Sequence, residues 1–307
     1  MPLIAQTHPT VLAAVDAVSE QGLRRNLETL VGFGVRDAAY DPDDVSKGVG
    51  AARDWIAAEL RSYSPKLQVR ISKWPNVLQG VTVHNVIAEL PGIRTPETQI
   101  LVTAHYDSRG GVGAADNGSG TVAMLEVARV LSQFSFDKTL VFIGFSGEER
   151  GLLGSEHESQ AAVLRGTRIE AVLNADIVGN DPAPENKIPE LDVYVGRNAA
   201  SSAQLGLYAK RQAEAYASVN IEVFAGERVG HASDHEPYRD RGFAGIRFLT
   251  PYESRQEHHS PKDSLERASI PNTALAARVI ASVAGSLALD LATTELLPAP
   301  ATTAPTQ

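Results

Sequence analysis

Acidic and imidazole side chains recur shortly after four apolar segments of the chain. They are His105 and Asp107, Glu148 and Glu149, Asp176, and the pair His258 and His259. Each segment is a short, nearly continuous apolar run, which is typical of a strand covered by helices on both faces. Because ligands bind at the carboxyl ends of strands in open α/β sheets, these side chains are predicted to meet at one edge.

A glycine-rich connection brings one further carboxylate toward this cluster. The stretch GGVGAADNGSG, residues 110–120, follows His105 and contains Asp116. Glycine adopts backbone conformations that other residues avoid, so the stretch can loop back and place Asp116 near His105. The sequence therefore predicts a single group of carboxylates and imidazoles.

A metal would explain why so many carboxylates share one place. Without a cation, like charges raise one another's pKa and make the cluster costly. Zinc accepts histidine nitrogen and carboxylate oxygen, and two zinc ions about 3.5–4 Å apart can share ligands. A carboxylate that is not a ligand can then transfer protons. The adjacent Glu148 and Glu149 suit that division, with one as ligand and the other as base.

Six motifs of the chain resemble those of a known family. AHYDS, DNGSG, FSGEERGLLGS, NADIVG, SDHEPY and HHSPKDS are similar, in this order, to the motifs of the co-catalytic zinc aminopeptidases, whose relatives include glutamate carboxypeptidase and glutaminyl cyclase. The resemblance spans roughly residues 80 to 270 and is looser at the N-terminal helices. It implies a metallopeptidase with two Zn²⁺ ions per chain that hydrolyses the N-terminal bond of a peptide with a free N-terminus.

The resemblance also implies which residues bind metal. The ligands matched by position are His105, Asp116, Glu149, Asp176 and His259. Asp116 would bridge the two ions, His105 and Asp176 would complete the first, and the other two residues the second. The peptide bond after Asp116 is expected to be cis.

Other roles follow from the same motifs. Glu148 matches the general base and acid, and Asp107 the carboxylate that orients His105, a contact that metal-bound histidines usually make. His258 stands where the family often has a tyrosine that helps to stabilise the tetrahedral intermediate, so His258 is a candidate catalytic group. Asp234 and His235 match a segment near the pocket, where they would contact substrate or support the site.

Three other functions compete with an aminopeptidase. A carboxypeptidase or dipeptidase would need a cation for the substrate carboxylate, and Arg109, Arg228 and Arg255 are candidates. A glutaminyl cyclase would work with one zinc ion. A binding module on a degenerate peptidase fold would be expected to have lost ligands, whereas all five ligand positions are filled here.

The pattern of apolar residues predicts an α/β fold. Helices are expected at residues 9–32, 48–63, 121–133 and 201–217, and KLQVRISKW and VTVHNVIAEL should form antiparallel strands. Alternation of later strands with helices favours a three-layer sandwich, with helices on both faces of a mixed, mostly parallel central sheet. We expect one zinc-peptidase domain over residues 1–295, with the N-terminal helices packed on its core, and a disordered tail over residues 296–307.

Composition excludes several classes of partner and site. The 307 residues carry a net charge of −9 without a long basic block, so nucleic acid and anionic membranes are not expected partners. No cysteine is present, which excludes thiolate ligands and nucleophiles. The apolar segment TALAARVIASVAGSLALDLA contains Arg278 and Asp290 and is predicted to be a buried helix, not a membrane span.

The start MPLIAQTHPT does not resemble a signal peptide. A secreted or periplasmic location is expected if such a peptide was removed, and a cytoplasmic one otherwise. A monomer is compatible with the sequence.

Overall fold

The computed structural model describes residues 7–78, 81–180, 190–196, 199–226, 232–251 and 257–289. The strands are β1 (Gln68–Leu78), β2 (Val81–Leu90), β3 (Thr95–His105), β4 (Lys138–Phe145), β5 (Arg168–Ala175), β6 (Leu191–Tyr194), β7 (Ile221–Phe224) and β8 (Gly245–Leu249). The helices are α1 (Pro9–Asp16), α2 (Glu20–Gly32), α3 (Gly48–Tyr63), α4 (Gly120–Leu131), α5 (Leu153–Leu164), α6 (Ala200–Gln212), α7 (Glu236–Asp240) and α8 (Ile270–Ala288). The predicted tail, residues 296–307, lies outside the described part.

All eight described strands form one mixed sheet in the order β1-β2-β4-β3-β5-β8-β6-β7. The four central strands β4, β3, β5 and β8 run parallel to one another. Strands β1, β2 and β6 join through antiparallel pairings, and β7 pairs parallel with β6 at the edge. The predicted antiparallel pair and the mixed, mostly parallel sheet are therefore confirmed.

Helices cover both faces of the sheet because side chains alternate along each strand. On β3, Ile100 and Val102 enter a large core with α3, α4 and α8, whereas Leu101 packs on the opposite face. That second face is covered by α5 and α7, which contribute Ala162 and Tyr238. This arrangement confirms the predicted three layers. The extent of a single domain over residues 1–295 stays a prediction.

The predicted helix at residues 9–32 is two helices. Ser19 adopts an extended conformation, and its side chain accepts a hydrogen bond from the backbone N–H of Gly22 at the start of α2. The backbone N–H of Ser19 donates in turn to the buried carboxylate of Glu126 on α4, at 2.6 Å. The cap at Ser19 and its contact with α4 therefore end one helix and begin another, although the apolar residues keep a helical spacing throughout.

Helix α8 lies in the main core. It is the one helix of the described ranges that is long and apolar enough to cross a membrane by length and composition, and 78% of its most apolar window is buried inside the protein. It packs on α1, α4 and α6. This burial confirms the prediction of a buried C-terminal helix.

Candidate metal centre

Four parallel strands deliver the predicted site residues to one edge of the sheet. Strand β3 ends at His105, β4 ends three residues before Glu148, and β5 ends directly before Asp176. His258 and His259 lie in the connection between β8 and α8. The sequence prediction that these side chains meet is confirmed by the distances that follow.

The first donor set surrounds the imidazole of His105. Its Nε2 atom lies 3.5 Å from Asp116 Oδ1 and 3.4 Å from Asp176 Oδ1. All three residues are buried, and their ligand atoms lie within 4.8 Å of one another. His105 Nδ1 lies 3.2 Å from the backbone carbonyl oxygen of Asp107 and 3.6 Å from its Oδ1. Nδ1 therefore faces Asp107, and Nε2 is left to face a metal.

The second donor set uses the other oxygen of Asp116. Oδ2 lies 3.3 Å from His259 Nε2 and 3.2 Å from His258 Nδ1. Glu149 Oε2 lies 2.7 Å from the same His259 nitrogen. Asp116 thus presents one oxygen to each set, which is the arrangement expected of a bridging carboxylate. The bond between Asp116 and Asn117 is cis, as the resemblance implied.

Unsatisfied buried oxygens provide a test of whether zinc fits these residues. Among the described side chains, Asp176 Oδ1 and Glu149 Oε1 are buried and have no hydrogen-bond partner. A buried carboxylate oxygen without a partner is unfavourable unless a cation neutralises it. Nitrogen and oxygen donors in two groups with a shared carboxylate match the ligands that zinc takes. The donor chemistry of these residues therefore fits zinc.

Glu148 lies beside both sets without belonging to either. Its Oε2 is 3.9 Å from His105 Nε2. Burial raises the pKa of Glu148 well above its ordinary value, the charge of His105 lowers it, and Asp176 and Asp234 raise it further. The carboxylate of Asp107 accepts hydrogen bonds from the backbone N–H groups of Glu148 and Glu149, each at 3.3 Å. Asp107 therefore fixes the turn that carries both glutamates as well as facing His105.

Two residues that contact Asp176, Ser233 and Arg247, received no role in the sequence analysis. Asp176 Oδ2 accepts a hydrogen bond from Ser233 Oγ at 2.6 Å and lies 3.0 Å from a terminal nitrogen of Arg247. Burial alone would raise the pKa of Asp176, but Arg247, His105 and Ser233 together hold it well below its ordinary value. Asp176 is thus kept ionised with Oδ1 directed at the first donor set. The sequence signal for this contact was Arg247, a charged residue within the apolar strand GIRFL, because a buried arginine needs an acidic partner.

Asp234 and His235 are both buried, but their surroundings differ. Burial raises the pKa of Asp234 to about 7, and the nearby charges of Asp107 and Asp176 add to the effect while His105 opposes it. Asp234 is therefore an acid close to Glu148. Neither Asp234 nor His235 lines the cavity, and the backbone of His235 packs against Gly245 at the start of β8.

The donor sets open into a cavity of about 180 Å³. Besides the metal-site residues, its lining includes Arg109, Leu152, Ile177, Ala232 and Arg247. Of the three arginines considered for a substrate carboxylate, Arg109 lies at this cavity. Arg228 and Arg255 lie outside the described residues.

A pair of buried charges holds the loop that carries Asp116. Arg36 donates from its guanidinium to the backbone carbonyl oxygens of Tyr106, Val112 and Gly113. Asp263 accepts the backbone N–H of Ala115 at 2.7 Å and that of Asp116 at 2.9 Å. The loop is therefore held at its carbonyls from one side and at its amides from the other. Asp263 belongs to the motif HHSPKDS, whereas nothing near Arg36 in the sequence signals its role.

We expect Asp263→Asn to weaken zinc binding by about 10–100-fold, the usual cost of losing a group that orients a metal ligand. The carboxamide keeps one acceptor oxygen and turns an N–H₂ group toward a backbone N–H that needs an acceptor. Competition with a chelator of known affinity measures the change, and circular dichroism checks that the fold is kept. Asp240→Asn, at an exposed aspartate, is the matched control. Equal affinities in the two variants would contradict the role given to Asp263.

Comparison with known proteins identifies the family. The sequence profile of Peptidase family M28 matches residues 85–284, which contain both donor sets and the cavity. The chain belongs to peptidase family M28. The resemblance drawn from the six motifs is thereby confirmed. Helices α1, α2 and α3 precede the matched range, so Arg36 lies outside it.

Relatives named as zinc metalloprotease and aminopeptidase agree with this assignment. A probable zinc metalloprotease of Pyrenophora tritici-repentis is 29% identical over 293 residues, covering 80% of this chain and 60% of the relative. The aminopeptidase YwaD of Bacillus subtilis is 35% identical over 199 residues, covering 61% of this chain and 41% of that protein. The chain thus spans about 60% of the length of the first of these relatives.

Two solved structures share the fold. The LapA aminopeptidase of Legionella pneumophila has a TM-score of 0.76 at 19% identity, covering 91% of this chain and 74% of that one. The glutaminyl cyclase of Porphyromonas gingivalis has a TM-score of 0.69 at 23% identity, covering 89% of this chain and 99% of that one. Because both an aminopeptidase and a cyclase have this fold, the fold alone does not select between the two activities.

Proposed function

We propose that this M28 protein is a zinc-dependent aminopeptidase that hydrolyses the N-terminal bond of peptides. The observation that carries the proposal is the position of Asp116, whose two carboxylate oxygens face different donor sets. Such a bridge would hold two zinc ions, with His105 and Asp176 on one side and Glu149 and His259 on the other. A site for two ions favours a peptidase over a one-zinc cyclase.

When bound, the zinc ions would supply a Lewis acid for the substrate carbonyl and lower the pKa of a water molecule. The residues of the chain perform the proton transfers. Glu148 would take the proton of the attacking water while the water oxygen bonds to the carbonyl carbon. The same proton would pass to the leaving nitrogen as the C–N bond breaks, so Glu148 would end in its starting state.

The surroundings of Glu148 suit both halves of that transfer. Burial raises its pKa, which makes it a stronger base and a better holder of the proton between the two steps. Asp107 holds the backbone of Glu148 and so fixes the direction of its side chain. Asp234, a second buried acid nearby, adds to the rise in the pKa of Glu148.

A preference for the end of a peptide is supported by the cavity, and a preference for the N-terminus by one relative. A cavity of about 180 Å³ is smaller than the usual range of about 300–1,000 Å³ for pockets that enclose a small-molecule ligand. It would take one terminal residue more readily than the middle of a chain. The aminopeptidase YwaD is 35% identical to this chain over its matched part.

Arg109 favours a second candidate, a carboxypeptidase or dipeptidase on the same metal site. Its side chain is exposed at the rim of the cavity, where a guanidinium could bind the free carboxylate of a short substrate. This candidate requires the same ligands and the same general base. The two functions differ only in which end of the peptide the protein recognises.

A substrate panel separates these functions. We expect rapid hydrolysis of aminoacyl anilides and of dipeptides with a free amine. The same compounds should be hydrolysed little after N-acetylation. A chelator should abolish the hydrolysis of all of them. Equal rates for blocked and free amines would contradict the aminopeptidase. Cleavage restricted to substrates with a free carboxylate would favour the second candidate, and release of pyroglutamate from N-terminal glutamine would favour a cyclase.

A further inference from the structure

His258 and His259 form a stacked pair at the second donor set. Their ring centroids lie 3.7 Å apart with an interplanar angle of 30°. His259 has a backbone φ of 52°, in the left-handed region, so the chain turns sharply between the two side chains. Consecutive residues normally point in different directions, and here both imidazoles reach the same carboxylate.

The two imidazoles converge on one oxygen atom. His258 Nδ1 lies 3.2 Å from Asp116 Oδ2, and His259 Nε2 lies 3.3 Å from it. The ligand atoms of these three residues all lie within 4.8 Å of one another. Zinc–ligand bonds are about 2.0–2.2 Å long, so two ligands of one ion are at most about 4.4 Å apart. The distances from Asp116 Oδ2 to the two histidine nitrogens lie below this limit, so the three atoms are close enough to bind one ion.

The second donor set predicted from the sequence contains Asp116, Glu149 and His259. Glu149 contacts His259 at 2.7 Å, whereas the grouping of ligand atoms around Asp116 brings in His258. Three mutually close donors, on Asp116, His258 and His259, therefore lie on this side, and Glu149 approaches them through its contact with His259. On the other side, the grouped donors are Asp116, His105 and Asp176.

We propose that His258 is a ligand, through Nδ1, of the zinc ion held by Asp116, Glu149 and His259. The inference rests on the proposed two-ion site and deepens it. With His258 added, the ion on this side would have more protein donors than the ion held by His105 and Asp176, and it would be the more tightly held of the two. His258 therefore takes a different role from the tyrosine that is common at its position in the family.

The alternative is that His258 only donates a hydrogen bond to Asp116. Asparagine separates the two roles, because its side-chain N–H₂ group can donate to a carboxylate but is a poor zinc ligand. His258→Asn therefore keeps the donor and removes the ligand. His258→Tyr restores the residue common in the family, and His157→Asn is the matched control, since His157 stacks on Trp74 and does not line the cavity.

The test follows metal retention, not turnover. The zinc-loaded protein is dialysed against a graded chelator series, and the zinc content per chain is measured at each step. We expect His258→Asn and His258→Tyr to lose one ion at free-zinc levels more than about 100-fold higher than wild type, beyond the about 10–100-fold cost of losing an orienting group. The His157→Asn protein should match wild type.

Cobalt substitution gives a second readout of the same site. The visible absorption of bound Co²⁺ reports its coordination, so the spectrum of the affected ion should change in both His258 variants and stay unchanged in the control. Retention of both ions with an unaltered spectrum in His258→Asn would overturn the proposal. That outcome is distinct from failure of the proposed function, which would be a wild-type protein that binds zinc but does not hydrolyse any member of the substrate panel.

Discussion

Replacing Glu148 with glutamine should lower kcat by about 10²–10⁴-fold, the usual contribution of a positioned general acid and base. Glutamine has nearly the same shape but cannot take a proton from water. Because Glu148 belongs to neither donor set, the variant should bind zinc as tightly as wild type. KM should change little, since the carboxylate acts on the water and not on the ground-state peptide.

Steady-state kinetics on an aminoacyl anilide, with zinc content measured on the same sample, test this prediction. Glu97→Gln, at an exposed glutamate on β3, is the matched control. A Glu148→Gln protein with full zinc and wild-type kcat would show that another group moves the proton. A protein that has lost zinc would instead show that Glu148 is a ligand.

Asp116→Asn should disable the site by a different route. The carboxamide has one oxygen to offer, and its N–H₂ group would face the opposite donor set. We expect at least one zinc ion to be lost. Because a zinc ion contributes several kcal/mol of charge stabilisation and each 1.4 kcal/mol is about tenfold in rate, kcat/KM should fall at least about 100-fold.

Metal analysis and kinetics on the same preparation distinguish this effect from that of Glu148→Gln. The Glu148 variant should be zinc-loaded and slow, whereas the Asp116 variant should be zinc-poor and partly restored by excess zinc. Asp240→Asn serves again as an exposed control. Two tightly bound ions in Asp116→Asn would show that Asp116 does not bridge them.

The edge of the sheet that forms the site could be predicted from the sequence because its signals are local. Each apolar run marks a buried strand, and the polar residues that follow must lie at its carboxyl end. His105 and Asp176 are placed in this way within a residue of where their strands end. The family motifs then gave each residue a role.

The supports of the site depend on contacts between distant residues and were not predictable in the same way. Arg36 reaches the 106–113 segment from a connection about 70 residues earlier. Arg247 is one residue of a five-residue strand, and only the fold places it against Asp176. Strands β6 and β7 have four residues each, too short for a periodic pattern to identify them.

The stacked imidazoles show the same limit on a smaller scale. The sequence placed His258 next to a predicted ligand and identified it only as a candidate catalytic group. The left-handed backbone at His259 turns the two rings toward one oxygen, a geometry that no residue pattern specifies. A local conformation thus determines which groups the side chain can contact.

The central claim, a two-zinc aminopeptidase, is tested most directly by adding zinc stepwise to the metal-stripped protein while following hydrolysis of an aminoacyl anilide. We predict that zinc binds tightly to two equivalents per chain and that full activity is reached only with both. Full activity at one equivalent, or hydrolysis by the metal-free protein, would contradict the account.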